Sequence, residues 1–229
     1  MKRGLDHPRY ERKLLPGGCS LSEVLALVRR HPALFREVYP ERIINNVYLD
    51  RADLSDYFDH INGVAQRSKL RIRWYGALHG CVAAPALEHK VKDGYVMGKA
   101  SEPLPAMELN GRLDQRFLED LRRRARISER AKFELDVRHP TLVNRYSRRY
   151  FLSGDGRFRL TIDTGLRFHS PETLREQWAA EPPPGFEIVI ELKFVPEAAG
   201  SAEGITSAFP FRVTRCSKYV LGIECLHPR

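Results

Sequence analysis

The chain has 229 residues, with 38 Lys and Arg against 29 Asp and Glu, which gives a formal net charge of +9. Hydrophobic residues make up 42% and charged residues 29%, an ordinary globular composition that excludes a wholly disordered protein. No apolar run approaches the ~20 residues of a membrane-spanning helix, and no apolar stretch follows the basic N-terminus, so neither a membrane segment nor a signal peptide is predicted.

Helical signals are few and begin with an S-x-x-E capping box at Ser20, which predicts a helix to about residue 30. Pro32 then predicts a short helix that ends near residue 38, and a third helix is predicted from Asp53 to before Gly63. The clearest helical pattern covers about 112–126, where charges pair at i, i+4 on the solvent side. Its arginine run is therefore interpreted as a solvated helix face.

Most of the remaining sequence alternates with period two, which is typical of strands. In the segment 69–75 three basic residues share one strand face and three apolar residues share the other. The same alternation occurs at about 9–14, 87–92, 157–163 and 187–194. Other predicted strands lie at about 43–49, 131–138 and 143–151, and the small residues at 198–202 predict a mobile loop.

The charged strand faces allow two interpretations. A single strand of this kind is commonly the solvated side of an antiparallel sheet. Five such strands, with arginines placed beside glutamates, favour a sheet closed into a barrel with its charged face inward. Guanidinium groups suit phosphate oxygens, and the glutamates suit a divalent cation. The pattern therefore predicts an inverted barrel that binds polyanions, with helices covering its apolar outside.

The cysteines and histidines point to no other chemistry. The four cysteines contain no C-x-x-C pair, which argues against a zinc site or a disulfide scaffold and makes the cytoplasm the expected location. The eight histidines show no metal-ligand spacing. No shift of composition divides the sequence, so we expect a single domain over residues 1–229.

Several short motifs follow one another over nearly the whole chain and carry a family resemblance. They are RYERK from Arg9, NVYLD from Asn46, RSKLRIRWYG from Arg67, EHK from Glu88, YSR from Tyr146, RLTID from Arg159, IELK from Ile190 and SKY from Ser217. With these motifs the chain resembles the catalytic domain of the vacuolar transporter chaperone (VTC) polyphosphate polymerases, within the triphosphate tunnel metalloenzyme superfamily.

The resemblance implies an α+β fold, built as an eight-stranded antiparallel β-barrel tunnel that is open at both ends, with a charged lumen and helices packed outside. It implies a metal-dependent polymerase that transfers the γ-phosphate of ATP to a growing inorganic polyphosphate chain. The implied cofactor is Mn²⁺ or Mg²⁺, and the implied partners are ATP and inorganic polyphosphate or triphosphate.

The resemblance also implies residue roles at the matching positions. The candidate catalytic residues, which would stabilise charge on the transferring phosphoryl group, are Arg71, Arg73, Arg148 and Arg159. The candidate substrate-binding residues are Lys13, Lys90 and Lys218, to which the charged strand faces add Lys69 and Lys193. The candidate metal ligands are Glu191, Glu11 and Glu88; the last two stand where other tunnel enzymes keep structural or metal-associated carboxylates.

The sequence departs from the superfamily pattern at two positions. Arg9 stands in place of the first glutamate of the E-x-E-x-K motif, which is expected of the polymerase branch and disfavours a small-substrate hydrolase. Ser147 stands where asparagine is commoner. No SPX regulatory domain precedes the matched segment and no membrane segment follows it, so we expect any membrane partner to be a separate protein.

Three other functions stay open from the sequence. The first is a tunnel triphosphatase, in which the same residues act with water as the acceptor. The second is a non-catalytic polyphosphate-binding module, against which the intact basic set and Glu191 argue. The third is a nucleic-acid-binding protein, supported by the net charge and the basic cluster at 122–126. A sheet face with stacked aromatic residues is missing, so no nucleic-acid partner is expected.

Overall fold

One antiparallel sheet of eight strands organises the structure, a computed structural model that describes residues 10–93 and 96–227. The strands in chain order are β1 (Tyr10–Leu14), β2 (Arg36–Asp50), β3 (Gln66–Tyr75), β4 (Gly80–Val82), β5 (Ala86–Asp93), β6 (Val96–Pro103), β7 (Met107–Leu109), β8 (His139–Leu152), β9 (Phe158–His169) and β10 (Ile188–Phe194). The order across the large sheet is β1-β10-β9-β8-β2-β3-β5-β6, and β4 pairs with β7 in a separate ribbon. Arg9, at which the sequence departs from the E-x-E-x-K motif, lies outside the described residues.

The helices agree only in part with the sequence patterns. They are α1 (Leu21–Arg30), α2 (Ser55–Ile61), α3 (Gln115–Arg124), α4 (Glu129–Asp136), α5 (Ala199–Ser207) and α6 (Lys218–Leu226). The capping box at Ser20 is confirmed, because its hydroxyl accepts from the Glu23 N–H while the Glu23 carboxylate accepts from the Ser20 N–H. In α3, Arg123 and Arg124 form exposed ion pairs with Asp120, as expected of a solvated face.

Three local predictions are wrong. The helix predicted from Pro32 does not form, because Leu34 adopts a left-handed conformation (φ 52°) and the chain enters β2 at Arg36. The strand predicted at 131–138 is α4, whose first turn is capped by the Ser128 hydroxyl. The small residues at 198–202 belong to a 3₁₀ turn and α5.

The large sheet is strongly curled. Lys13 of β1 donates to the carbonyl oxygen of Cys216 over 2.5 Å, and Lys69 of β3 donates to the hydroxyl of the adjacent Ser217 over 2.8 Å. In the sheet order β1 and β3 are five strand spacings apart, which would be about 24 Å across a flat sheet. The charged side chains therefore line the concave side, here called the inner face.

The predicted closure of the barrel is wrong for the part of the chain that the structure describes. There β1 and β6 are the two edges of the sheet, and no pairing joins them. The five residues of β1 pair along their length with β10, and on the other side of the strand Leu14 bridges to Val213. Charge interactions between Glu11 of β1 and Lys90 of β5 nevertheless cross the open side. The result is a curled antiparallel sheet that surrounds a charged interior without a complete hydrogen-bonded ring.

Two hydrophobic cores cover the outer, convex face. Leu121 of α3 packs in one core with Trp74 of β3. Val24 of α1 and Ala202 of α5 pack in the other with Leu160 of β9. Burying a large apolar side chain stabilises the fold by about 1.5–3 kcal/mol. The outer helices are thus held on the sheet as the alternating pattern predicted.

Helix α6 packs on the inner face, unlike α1, α3, α4 and α5, and the cluster it enters also includes Tyr57 of α2. Tyr219 and Ile223 lie in a cluster with Tyr146 and Phe168, whose side chains point to the inside of the sheet. A bulge in β9 at Gly165 (φ 61°) turns Phe168 to this side. The expectation that the helices lie only outside an open-ended barrel is therefore wrong for α6, which covers one end of the inner face.

Gly222 permits the close approach of α6 to the sheet. A Cβ atom at this position would collide with Leu142 and would lie 2.6 Å from Phe168 Cδ1. We expect Gly222→Ala to lower the free energy of unfolding by about 1–3 kcal/mol, measured by urea denaturation. Gly204→Ala in α5 is the control, since no atom lies within 4 Å of its added Cβ and helix propensity favours alanine by ~1 kcal/mol. Equal stabilities of the two variants would contradict this packing.

Candidate functional site

The predicted site residues, Arg159 excepted, form one connected group on the inner face and the start of α6. Ion pairs or electrostatic interactions link Glu11, Lys13, Lys69, Arg71, Arg73, Glu88, Lys90, Arg148, Glu191, Lys193 and Lys218. Arg159 is exposed, and no ion pair of the described residues includes it. It faces Lys193 in the register of β9 and β10, at the edge of the group.

Glu191 lies among four cations. Its side chain is 9% exposed, and its Oε2 atom is 3.2 Å from both Arg148 and Lys193. Its Oε1 atom is 3.4 Å from Lys218 and 3.8 Å from Lys13. Burial opposes ionisation, but Lys193 and the other cations hold the pKa of Glu191 well below its usual range. The carboxylate is therefore charged, and none of these contacts is short.

Asp163 is a central residue of the group, although the sequence analysis predicts no role for it. Its carboxylate accepts from Arg148 Nε and Nη2 over 2.5 and 2.6 Å, and Lys218 Nζ lies 2.6 Å away. The alternation of β9 places it on the charged face, but only the register of β8 and β9 brings it opposite Arg148. This bidentate pair fixes the guanidinium plane of Arg148.

Glu88 plays the corresponding part for Arg71. Its Oε2 atom accepts from Arg71 Nε and Nη2 over 2.8 and 2.6 Å and lies 3.5 Å from Arg73. Its Oε1 atom is 2.5 Å from Lys99, a second residue that the sequence did not indicate. Arg73 is held further by a 2.8 Å hydrogen bond to Asn46 Oδ1. Both arginines are therefore oriented before any ligand binds.

Lys69 and Lys90 are half-buried amines that form no ion pair with a carboxylate among the described residues, although Lys69 donates to the Ser217 hydroxyl. Burial, together with the nearby charges of Lys13 and Arg71, lowers the pKa of Lys69 to about 7. Burial, Arg71 and Lys193 lower the pKa of Lys90 well below its usual range. Crowded cations of this kind gain stability when an anion enters between them.

Glu11 interacts electrostatically with Glu191. It lies 3.2 Å from Lys13 and 3.7 Å from Lys193. Burial and the charge of Glu191 raise its pKa, but Lys13, Lys193 and Lys90 outweigh them and lower it to about 2. Two ionised carboxylates thus share one set of lysines.

These contacts decide which carboxylates could hold a divalent cation. Hard cations such as Mg²⁺ and Mn²⁺ prefer carboxylate oxygens. Glu191 and Glu11 fit this requirement, because their closest cationic contacts are 3.2 Å long and the two carboxylates interact. Glu88 and Asp163 fit it less well, because arginine and lysine already bind them within 2.5–2.6 Å. Within the described residues, no cluster of three or more potential ligands forms a complete metal site.

The titration of Lys69 gives a pH prediction for anion binding. A bound tripolyphosphate would stabilise the ammonium form, so binding takes up a proton where free Lys69 is neutral, above about pH 7. We expect the affinity for tripolyphosphate to fall by up to about tenfold per pH unit above that point, relative to Lys69→Arg, whose charge does not titrate. Titration calorimetry at several pH values would measure this. Parallel pH profiles for the two proteins would contradict the assignment.

Comparison with solved structures identifies proteins that are similar to this chain in fold. A proposed adenylate cyclase from Vibrio parahaemolyticus aligns over 94% of this chain and 98% of its own, with a TM-score of 0.52 and 12% identity. The PH1819 protein from Pyrococcus horikoshii OT3 aligns over 93% and 97%, with a TM-score of 0.50 and 15% identity. A proposed adenylyl cyclase from Hippeastrum, HpAC1, described with a dominant triphosphatase activity, aligns over 93% of each chain at 20% identity and a TM-score of 0.47. The first two likenesses show the fold alone.

The curled antiparallel sheet and its outer helices therefore place the chain in the fold class of the first two of these proteins. Within that class the chain belongs to the VTC domain family, whose model matches residues 9–227. No curated protein matches it by sequence comparison. No helix in the described part of the chain is long and apolar enough to cross a membrane.

Proposed function

We propose that this protein is a metal-dependent polyphosphate polymerase, which transfers the γ-phosphate of ATP to the end of an inorganic polyphosphate chain. The observation that carries the proposal is the crowding of the half-buried amines of Lys69 and Lys90, which form no ion pair with a carboxylate of the described residues. They are set beside arginines that carboxylates have already oriented. Membership of the VTC domain family supports the same substrate class. The substitution at Arg9 favours a polymerase over a hydrolase.

The reaction asks the protein for positioning and charge stabilisation. A terminal oxygen of the acceptor chain attacks the γ-phosphorus of ATP. The bond to the β–γ bridging oxygen then breaks, and ADP leaves with the electron pair. In this proposal Arg71, Arg73 and Arg148 stabilise the charge on the transferring group. Because Glu88 and Asp163 hold Arg71 and Arg148 in place, little reorganisation is needed during the transfer.

The remaining charged residues bind and orient the phosphates. Five lysines would bind phosphates on either side of the reacting group, namely Lys13, Lys69, Lys90, Lys193 and Lys218. Arg159 would bind phosphates at the edge of the site. Glu191 and Glu11 would hold a divalent cation, which when bound neutralises charge on the phosphate oxygens. Glu88 would act by positioning Arg71 and Arg73. No side-chain nucleophile is required.

A product assay tests the proposal against a triphosphatase. The purified protein is incubated with ATP and Mn²⁺ or Mg²⁺, and the products are separated on a gel stained for polyphosphate while orthophosphate is measured in the same samples. We expect polymer that accumulates only with metal. Orthophosphate without polymer would overturn the polymerase in favour of a triphosphatase, and tripolyphosphate binding without turnover would indicate a non-catalytic module.

A further inference from the structure

A cluster of three tyrosines and one arginine lies at the end of the inner face away from α6. The guanidinium carbon of Arg42 is 5.4 Å from the ring centre of Tyr39, 5.8 Å from that of Tyr75 and 5.7 Å from that of Tyr150. The rings of Tyr39 and Tyr150 meet edge to face at 5.8 Å. These four residues are here called the tyrosine platform.

The platform is open to solvent, unlike the aromatic residues of the cores. Tyr39 is 55% exposed and Tyr75 is 51% exposed, and Arg42 is exposed as well. Among the described residues no ion pair includes Arg42, so its planar group is held against ring faces alone. Large exposed rings grouped around a guanidinium provide flat surfaces on which another planar group stacks.

Strand register connects the platform directly to the oriented arginines. Arg42 is the register partner of Arg148 across β2 and β8. Tyr75 follows Arg73 by two residues on β3, and Tyr150 follows Arg148 by two residues on β8, a step of about 7 Å along a strand. The Tyr150 hydroxyl also interacts with both Arg42 and Arg148. A ligand with a planar group on the platform would therefore extend an attached phosphate chain towards Arg73 and Arg148.

We propose that the tyrosine platform is the subsite that binds the nucleobase of a nucleoside triphosphate donor. This inference rests on the proposed function, and it adds the part of the site that distinguishes a nucleotide from an inorganic phosphate chain. Stacking uses the π-face that every base has, and purines offer the larger face. The subsite therefore favours purine nucleotides without selecting strictly between them.

Binding of two ligands that differ only in the nucleoside tests the subsite. Calorimetry without metal measures the binding of ATP and of inorganic tripolyphosphate. Each ligand is titrated into the natural protein, the double variant Tyr39→Ala/Tyr75→Ala and the single variant Tyr75→Phe. We expect the Kd of ATP to rise about 5- to 150-fold in the double alanine variant. The Kd of tripolyphosphate should stay within about twofold, and Tyr75→Phe, which keeps the ring, should bind both ligands normally. Trp178→Ala is the matched control, because that exposed ring also stacks on an arginine, Arg175, at 5.0 Å.

The outcomes separate this inference from the proposed function. Unchanged ATP affinity in the double variant, with polymer still formed from ATP, overturns the subsite alone. An equal loss of ATP and tripolyphosphate affinity also overturns it, because the rings would then act on the fold or the phosphates. A natural protein that binds tripolyphosphate but not ATP overturns the ATP-dependent polymerase itself. A single-stranded oligonucleotide that displaces ATP, and loses affinity in the same variant, overturns the mononucleotide in favour of nucleic acid.

Discussion

Glu191→Gln should abolish metal-dependent turnover while ATP and polyphosphate still bind. Glutamine keeps the shape of the side chain but removes the negative charge that a divalent cation needs. We expect turnover to fall by at least about 10²–10³-fold, the usual effect of losing one essential charged contact. Phosphate binding should persist without metal, because the four cations around Glu191 remain. Steady-state assays over a range of metal concentrations, with calorimetry for binding, would measure both effects.

Glu187→Gln is the control for that experiment. Glu187 is exposed and lies immediately before β10, so its loss should leave activity and metal dependence unchanged. Full activity of Glu191→Gln would refute the metal assignment. Loss of phosphate binding along with turnover would instead assign Glu191 a structural role.

Asp163→Asn should strongly destabilise the fold. The carboxylate is almost fully buried and balances the charges of Arg148 and Lys218. Its replacement leaves two buried cations that only Glu191 still neutralises. Breaking a buried ion pair at one partner costs about 3–5 kcal/mol, and we expect a loss of that size in the free energy of unfolding, measured by urea denaturation.

Strand β8, which carries Arg148, also provides the matched comparison. Arg149 forms an equally bidentate pair with Glu37, at 2.8 and 2.6 Å, but at the surface. Glu37→Gln should cost at most about 1 kcal/mol, because water replaces the lost contact. Similar losses in the two variants would show that burial does not control the strength of the Asp163 contacts.

Much of the site could be predicted from sequence because it follows strand alternation. Arg71 and Arg73 share a face by spacing alone, and the same rule places Glu88 and Glu191. No role is predicted for Asp163 or Lys99, because their contacts depend on which residue lies opposite them on the neighbouring strand. The register between strands is set by non-local pairing. The tyrosine platform joins three strands, so no single stretch of sequence contains its pattern.

The errors in the fold have equally local causes. In α4 the apolar residues Phe133 and Leu135 alternate as in a strand, but the Ser128 cap and packing of Leu135 on the outer face favour a helix. The charged strand faces and the resemblance both predict closure of the sheet. It depends on whether two edge strands meet, and the alternation of residues within each strand carries no information about this.

The crowding around Lys69 and Lys90 makes ionic strength act in two opposite directions. In the ligand-free protein, dissolved chloride screens the mutual repulsion of the lysines, so moderate salt should raise the melting temperature. The same ions compete with polyphosphate for these amines and should weaken its binding. Thermal melts with and without tripolyphosphate should therefore converge as salt increases, since a ligand stabilises only in proportion to its occupancy. The interior of the curled sheet thus resembles an ion exchanger, whose counter-ions are part of its stable state.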